Sequence, residues 1–418
     1  MILENIKLRA PELVRMIPDE ELSRLAVETR VDHYSKVLCG ERMFNLLLYA
    51  FVNTDRVSQR RLEVMFNSQQ FKTMFDYAEG LNVSRSSISA RLSKMNVGFF
   101  EKAYELIYGR LSKSYTEREI GQMHLIRVDS SMVAEACNKL KKGFTVGEKA
   151  KGKEDRKQLK YTMAYDGFAA KLAEVFDEPK YLSEDVAMPA VQDTLIKADA
   201  GHSNLYVLDR GMSATSSFEG MDAQDAKFVG RIKTNRRMEV VRTLTGEQPD
   251  RDLGKLELVD DVEVRLYTKT KDRTERTFRV VKARFKEQRD TTRPANKGKV
   301  KRVENDIYFI TNDFSLTPQE VAEAYRRRWD IEVFFRFLKQ ELSFSHFIST
   351  SENGIKIILY MTLITAMLIM IYKRENDLGY DMAKFCFRTE MNDWVTALAV
   401  YFSGGDVESF TSRYHIRV

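Results

Sequence analysis

Cysteine is scarce in this chain of 418 residues, and its placement excludes two kinds of protein. The three cysteines, Cys39, Cys137 and Cys386, lie far apart in the sequence and form no CxxC pair. Such spacing provides neither a disulfide framework nor the ligand pattern of a zinc site. It favours a reducing compartment, the cytoplasm, in which all three thiols are buried or incidental.

Long apolar runs are also rare. The most apolar stretch, 357–372, is shorter than the roughly 20 residues that a membrane-spanning helix needs. Tyr360, Thr362 and Thr365 interrupt it. We therefore expect this stretch to form a helix buried in the core, with no membrane as partner. The N-terminal stretch MILENIKLRAPELVRMIPDE lacks the basic and apolar regions of a signal peptide.

The excess of positive charge is small. The chain has 67 basic and 61 acidic residues, for a formal net charge of +6. This balance is compatible with a nucleic-acid partner but does not require one. The hydrophobic fraction of 43% and the charged fraction of 31% are those of an ordinary globular protein. The length predicts roughly two to four domains.

Residues 1–115 predict a helical N-terminal domain, because apolar residues recur at helical spacing and strand-like alternation is scarce. Within it, the stretch FDYAEGLNVSRSSISARLSKM has a turn at Gly80 and Ser84 as the N-cap of a second helix. This is the pattern of a DNA-binding helix-turn-helix. Its outward-facing residues would be Arg85, Ser86, Ser87 and Arg91. A helical hairpin that merely packs has the same pattern, so both interpretations stay open.

The remaining chain predicts an α/β fold in three parts. Short apolar runs and helical segments alternate over 116–215, the pattern of an α/β layer. Strand-like runs dominate 216–312. Helical patterns return over 313–418. The basic segment 286–302 predicts a loop that is either simply solvated or in contact with a DNA backbone.

A single helix is predicted from Pro318 to Leu342, beginning with a capping box of Thr317 and Glu320. At about 100° per residue, its polar residues form a stripe along one side. The stripe consists of Tyr325, Arg328, Glu332 and Lys339, with Arg336 close by. The neighbouring arc is aromatic and aliphatic and must face a core. The stripe is either a surface of i,i+4 ion pairs or a set of cations arranged around a functional carboxylate.

Two aspartates strengthen the functional interpretation of Glu332. Asp129 follows the apolar run HLIRV, and Asp209 follows the run NLYVL. Ligands of open α/β sheets gather beyond the carboxyl ends of strands, although either residue alone could simply cap a turn. Three carboxylates that converge there would suit Mg²⁺, and two such ions support phosphoryl transfer. The cations beside Glu332 would then contact DNA phosphates.

The spacing Tyr325-x2-Arg328-x3-Glu332-x6-Lys339 resembles the YREK signature of the insertion-sequence-four family of DDE transposases. The motifs VLDRG at Asp209 and LIRVD at Asp129 resemble its two aspartate motifs, and the likeness covers about residues 120–375. This resemblance implies an RNase H-like catalytic core, with its first part over 116–215, a β-rich insertion domain over 216–312, and its second part with C-terminal helices over 313–418. It implies divalent metal, Mg²⁺ or Mn²⁺, held by Asp129, Asp209 and Glu332. It also implies DNA contacts by Tyr325, Arg328 and Lys339. Trp329 would stack on a displaced base, or else lie in the core.

The resemblance implies a DNA transposase of an insertion sequence that cuts element ends and joins them to target DNA. Its partners would be double-stranded DNA, at the terminal inverted repeats and the target, and a second copy of the chain on paired ends. Its location would be the bacterial cytoplasm, in association with the nucleoid. Two alternatives remain: a catalytically silent DNA-binding regulator derived from a transposase, and a metal-dependent nuclease without strand transfer.

Overall fold

The computed structural model describes residues 6–15, 17, 19–33, 35–134, 139–145, 156–246, 250–268, 270–287 and 305–414. The chain forms two compact units. The first comprises Met1–Tyr115, Val133–Leu159 and Phe334–Val418, and the second comprises Thr116–Met132 and Lys160–Val333. Cys137 and most of the predicted basic loop, 288–302, lie outside the described residues.

The described residues contain the following α-helices, in chain order: α1 (Ala10–Arg15), α2 (Asp19–Thr29), α3 (Gly40–Asn53), α4 (Gln59–Phe66), α5 (Gln69–Met74), α6 (Arg85–Lys94), α7 (Gly98–Tyr115), α8 (Glu184–Ala198), α9 (Thr215–Ala223), α10 (Pro318–Arg326), α11 (Trp329–Glu341), α12 (Glu352–Glu375), α13 (Tyr380–Phe402) and α14 (Val407–Arg413). A 3₁₀ turn, Pro179–Leu182, precedes α8.

The β-strands of the described residues are β1 (His124–Ala134), β2 (Phe144–Thr145), β3 (Lys157–Tyr165), β4 (Ala170–Phe176), β5 (Asn204–Leu208), β6 (Lys227–Ile232), β7 (Met238–Thr243), β8 (Asp252–Leu253), β9 (Leu256–Leu266), β10 (Phe278–Phe285) and β11 (Asp306–Thr311).

The first unit is helical and is organised around α12. This helix packs against α3, α6, α7 and α13, and its side chains are buried almost continuously from Met361 to Tyr372. By length and composition it is apolar enough to cross a membrane, and 83% of its most apolar window is buried inside the protein. The prediction that this stretch forms a helix buried in the core is therefore confirmed. Cys386 is a buried free thiol, and Cys39 is a half-buried one.

The second unit contains a large mixed sheet, so the predicted α/β class is confirmed at this level. Its strands follow the order β3-β1-β5-β6-β11-β10-β9-β7, with β4 beside β3 and β8 beside β9. The pairs β1–β5 and β5–β6 are parallel, whereas β6 and β11 begin a run of antiparallel pairs. The boundaries at 115, 215 and 312 that the sequence suggests stay a prediction.

Side chains of β1 alternate between two faces of the sheet, as the period of a strand requires. Ile126 and Val128 belong to a core that includes buried residues of α8 and α9. Leu125 belongs to a separate core on which α10 packs through Val321 and Ala324. Odd-numbered positions of β1 therefore face α10, and even-numbered positions face α8.

The prediction of one helix from Pro318 to Leu342 is wrong at its centre. The capping box of Thr317 and Glu320 is present, but α10 ends at Arg326 and α11 begins at Trp329. Between them the chain forms a turn, in which the amide of Arg328 donates to the carbonyl oxygen of Tyr325 three residues earlier. The carbonyl oxygen of Arg327 accepts a hydrogen bond from a side chain of β1, described below. A contact distant in sequence thus accompanies the break.

Candidate active site

Asp129 and Asp209 are neighbours because of strand register. The parallel pairing of β1 with β5 ends at Val128 opposite Leu208, so the next residue of each strand is an aspartate. Asp209 follows the end of β5, as predicted, but β1 continues to Ala134 and Asp129 lies within it. The prediction that Asp129 follows a strand end is therefore wrong, since only its pairing with β5 ends there.

Backbone amides orient both carboxylates. The amide of Ser130 donates to Oδ1 of Asp129 at 2.7 Å, and the amide of Gly211 donates to Oδ2 of Asp209 at 2.9 Å. Each aspartate is thus bonded to the chain that follows it immediately. Such contacts restrict the side-chain rotamers, and they leave the remaining oxygen of each carboxylate for other partners.

The guanidinium of Arg328 brings the three predicted acids together. Its Nη1 lies 3.5 Å from Oδ2 of Asp129 and 3.5 Å from Oδ1 of Asp209. Its Nη2 donates to Oε1 of Glu332, four residues along the chain. The predicted Arg328–Glu332 ion pair is therefore present, and it forms part of a cluster with both aspartates.

Burial and like charge perturb Asp129. Burial raises the pKa of this carboxyl to about 7, and repulsion from Asp209 and Glu184 acts in the same direction. The Ser130 amide and the Arg328 guanidinium lower the pKa by smaller amounts. For Arg328 itself, burial lowers the pKa, but Glu332, Tyr325 and Asp209 together outweigh that effect and raise it overall. The cluster is thus rich in negative charge and partly shielded from water.

The donor chemistry of the cluster fits a hard divalent cation. Carboxylate oxygens are the ligands that Mg²⁺ and Mn²⁺ prefer, and the three acids already surround one cationic group. With Arg328 between them, no group of three acidic, histidine or cysteine side chains among the described residues is arranged to hold a metal ion. A metal ion would therefore have to compete with the guanidinium for these carboxylates.

A buried ion network holds the break between α10 and α11 against β1. Arg127, with a side chain only 1% exposed, pairs through both terminal nitrogens with Glu119 at 2.6 Å. The same guanidinium donates to Asp330 at 2.9 Å and to the carbonyl oxygen of Arg327 at 3.2 Å. Arg327 in turn pairs with Glu119. These bonds fix the chain on both sides of Arg328 and at the start of the helix that carries Glu332.

Tyr325 and Trp329 line a pocket of about 780 Å³ in the second unit. The ring of Tyr325 packs on Phe309 with centroids 5.2 Å apart, and the Arg328 guanidinium lies 5.9 Å from the Tyr325 centroid. Burial raises the pKa of the Tyr325 hydroxyl. Trp329 is 51% exposed, so the alternative of a core tryptophan is wrong. The pocket lining also includes the basic residues Arg231, Lys255 and Arg326.

Arg336 and Lys339 lie in the part of α11 that belongs to the first unit. Arg336 is exposed, whereas Lys339 is half-buried. Burial lowers the pKa of Lys339. Both stay predicted DNA contacts.

Of the predicted helix-turn-helix, the second helix is present as α6 of the first unit, but the first helix is wrong: α5 ends at Met74, and the predicted stretch from Phe75 to Val83 is not helical. Ser84 caps α6, as predicted, by accepting from the amide of Ser87, and Val83 and Ile88 are buried. Arg85, Ser86 and Ser87 are exposed at the helix start. Arg91 is instead turned inward, because it donates to the carbonyl oxygens of Leu38 and Val31. Its predicted outward orientation is wrong.

The sequence interpretation missed three residues around the cluster. Arg127 left a usable signal, since it is a charged residue inside a buried apolar run. Ser130 and Glu184 left none: a serine after an aspartate and a glutamate in the first turn of a helix are common everywhere. Their contacts depend on the packing of α8 against the sheet.

Residues 122–368 match the family described as Transposase DDE domain. This match spans more than half of the chain and includes all three clustered acids. The chain belongs to the transposase DDE domain family.

The chain also resembles individual proteins. It is 26% identical over 181 residues to a putative transposase of Sinorhizobium fredii, covering 43% of this chain and 46% of that one. It is 24% identical over 223 residues to a putative transposase for an insertion sequence element of Synechocystis, covering 48% and 57%. The chain thus spans about half the length of these relatives.

Among solved structures, the piggyBac transposase synaptic complex with hairpin DNA matches with a TM-score of 0.44 and 11% identity. That match covers 94% of this chain and 81% of the other.

Proposed function

We propose that this protein is the transposase of an insertion sequence, which cuts the ends of its element and joins them to target DNA. Asp129, Asp209 and Glu332 would form the D-D-E triad. This triad would hold two divalent metal ions, Mg²⁺ or Mn²⁺. The proposal includes an RNase H-like core and membership of the insertion-sequence-four family with its YREK signature. Membership of the transposase DDE domain family supports it.

One observation carries the proposal more than any other. Three acids from separate parts of the chain, two placed by strand register and one by α11, approach a single guanidinium. A surface ion pair would need only Arg328 and Glu332. Two further carboxylates lie at the same cation, and one of them is largely buried. Burying such an excess of negative charge costs folding free energy, so its presence indicates a function.

The reaction is a displacement at phosphorus. The oxygen of water, and later of a DNA 3′-hydroxyl, forms a new bond to the phosphorus of a phosphodiester and gives up its proton. The P–O bond opposite to it breaks, and the leaving oxygen takes up a proton and departs as a hydroxyl. When bound, divalent ions would activate the attacking oxygen and stabilise the leaving one. The triad would hold these ions, and Arg328, displaced from the carboxylates, would pair with a DNA phosphate.

The aromatic and basic side chains near the triad would position DNA. Tyr325 and Trp329 border the pocket described above, and the exposed face of Trp329 could stack on a displaced base. Arg336 and Lys339 would contact phosphates further along α11. Arg85, Ser86 and Ser87 would read the major groove at the start of α6, whereas the inward hydrogen bonds of Arg91 favour a structural role.

The partners follow from the proposed reaction. They would be double-stranded DNA, as terminal inverted repeats and as target, and a second copy of the chain on paired ends. The protein would act in the bacterial cytoplasm at the nucleoid. A silent regulator would not need three converging acids, and a nuclease without strand transfer would differ only in the attacking oxygen.

The test is cleavage of DNA that carries the element's own end sequence, with Mg²⁺, by wild type and by Glu332→Gln. Glutamine keeps the size of the side chain and loses its charge, so DNA binding should survive while cleavage falls at least a hundredfold. The matched control is Glu178→Gln, because Glu178 is an exposed glutamate of the same unit that pairs with the exposed Lys180.

Equal cleavage by wild type and Glu332→Gln would reduce Glu332 to an ion-pair partner and overturn the triad. Binding without cleavage by the wild type would favour the regulator. Cleavage without joining of the ends to target DNA would favour the nuclease.

A further inference from the structure

Glu184, in the first turn of α8, lies beside the acidic cluster but is not a member of the proposed triad. Its Oε2 accepts a hydrogen bond from Oγ of Ser130 at 2.8 Å. Ser130 is the residue whose amide orients Asp129. The Ser130 hydroxyl also lies 2.9 Å from that of Thr162 on β3. One residue of β1 thus joins Glu184 on one side of the sheet to Asp129 on the other.

Lys160 of β3 holds Glu184 in place. Its ammonium lies 2.8 Å from Oε1 of Glu184, and the lysine side chain is only 3% exposed. The same ammonium donates to the carbonyl oxygen of Leu182 at 3.2 Å. Both oxygens of Glu184 therefore have partners, and the buried lysine fixes the carboxylate in a defined rotamer.

Glu184 also touches the turn that carries Asp209. A Cβ atom added to Gly211 would lie 2.7 Å from Cγ of Glu184 and 3.3 Å from Oδ2 of Asp209. Only a residue without a side chain allows the turn to pass this close to Glu184, while its amide still bonds Asp209. A single glutamate therefore contacts both segments that present the triad aspartates.

We propose that Glu184 is a positioning residue of the metal site, which fixes Asp129 through Ser130 and supports the Asp209 turn at Gly211. The inference rests on the proposed function, because it assigns Glu184 to the same acidic site. Glu184 is close enough to the cluster for its charge to act on Asp129, and its pair with the buried Lys160 fixes it there. Its contacts to Ser130 and to the turn at Gly211 are with the segments that carry Asp129 and Asp209.

The decisive measurement is Mn²⁺ binding to the full chain. Electron paramagnetic resonance monitors it, because the signal of free Mn²⁺ disappears when the ion binds. Glu184→Gln should weaken Mn²⁺ binding about tenfold or more, the effect typical of residues that orient metal ligands. Ser130→Ala leaves the Lys160–Glu184 pair intact and should weaken binding in the same direction. Because both changes weaken the Ser130–Glu184 hydrogen bond, the double variant should lose less binding free energy than the two single variants lose in sum.

Two controls separate this inference from the proposed function. Glu178→Gln should bind Mn²⁺ like the wild type. Asp129→Asn should lose binding, since it removes a triad carboxylate. If Asp129→Asn loses binding while Glu184→Gln and Ser130→Ala keep wild-type affinity, Glu184 has no positioning role. If Asp129→Asn binds like the wild type, the metal site itself is misplaced and the proposed function fails.

A urea-unfolding curve of each variant checks the fold. Should Glu184→Gln fail to fold, Ser130→Ala alone decides, because it deletes a single hydroxyl and leaves the buried lysine paired. Wild-type Mn²⁺ affinity in a folded Ser130→Ala protein would then overturn the inference.

Discussion

Arg127 on β1 donates a hydrogen bond from Nε to the carbonyl oxygen of Arg327, 3.2 Å away and 200 residues later in the chain. This contact ties the centre of the sheet to the break between α10 and α11. Arg328 follows the bonded carbonyl, and Glu332 lies in the first turn of α11. The position of Glu332 therefore depends on a buried arginine whose acidic partners, among the described residues, are Glu119 and Asp330.

Replacing Arg127 should affect stability and cleavage together. Arg127→Met leaves the buried Glu119 with Arg327 as its remaining cation, so we expect a loss of about 3 kcal/mol in the free energy of unfolding. Glu119→Gln in the same chain should recover part of that loss. Urea unfolding measures both effects. Arg326→Met is the control, because Arg326 is exposed and its ion pair is with the partly exposed Glu323.

The conservative variant tests positioning. Lysine keeps the charge of Arg127 but cannot bond Glu119, Asp330 and the Arg327 carbonyl oxygen at once. We expect folded Arg127→Lys protein to cleave DNA at least tenfold more slowly than the wild type. Unchanged cleavage would mean that the network stabilises the fold without aligning Glu332.

Arg328 should compete with divalent metal for the three acids. In Arg328→Gln the three carboxylates lose their shared cation. We therefore expect the free energy of unfolding in metal-free buffer to fall by about 1–3 kcal/mol. Mg²⁺ should then raise the Tm of this variant more than the Tm of the wild type. Thermal unfolding with EDTA or Mg²⁺ measures the difference, with Arg326→Gln as control. Equal shifts in both proteins would argue against competition at this site.

Two arginines of α6 should behave in opposite ways. Arg85→Ala removes an exposed cation, so DNA binding should weaken while the free energy of unfolding stays unchanged. The slope of the logarithm of the binding constant against the logarithm of the salt concentration should decrease by about one. Arg91→Ala removes bonds to two carbonyl oxygens and should cost about 1–3 kcal/mol of stability. Fluorescence anisotropy at several salt concentrations and urea unfolding make the comparison. Wild-type binding by Arg85→Ala would support the simple helical hairpin.

The pair of Asp55 and Lys384 should make the first unit sensitive to acid. Lys384 has a side chain 3% exposed and lies 2.9 Å from Asp55, and its hydrogen bond is the main cause that lowers the pKa of Asp55 below its ordinary 3.8. A lowered pKa contributes stability that is fully present above 3.8 and disappears as the pH falls through the lower folded value.

Asp55→Asn should therefore lower stability at pH 7 by about 1 kcal/mol, since the aspartate is largely exposed and solvent screens the pair. The difference from wild type should shrink as the pH falls below 3.8. Urea unfolding at pH 7, 4 and 2.5 measures it. A difference that stays constant across this range would assign the effect to packing rather than charge.

Local patterns predicted the features that depend on local chemistry. The run HLIRV and the run NLYVL marked two buried strands, and parallel register then made Asp129 and Asp209 neighbours. The capping box at Thr317 and the N-cap at Ser84 followed from residue type and spacing alone. The YREK spacing placed Arg328 and Glu332 one turn apart, which the break before Trp329 does not disturb.

Features that depend on distant contacts could not be predicted. The break after Arg326 coincides with a hydrogen bond from Arg127, and the inward turn of Arg91 requires carbonyl oxygens of a loop more than fifty residues earlier. Glu184 gave no signal because its partners come from β1 and β3. Trp329 has an apolar side chain that the sequence could place either in a core or at a surface, and only packing decides.

The alternation of β1 makes this strand tolerant of some genetic changes and intolerant of others. Arg127 and Asp129 face α10 and the start of α11, while Ser130 faces α8. Inserting or deleting one residue among them would exchange the two faces, so the buried arginine, the aspartate and the serine would all lose their partners together. Point substitutions remove one contact at a time. Variants of this gene that retain activity should therefore accumulate substitutions in β1 and keep its length between Leu125 and Ser130 unchanged.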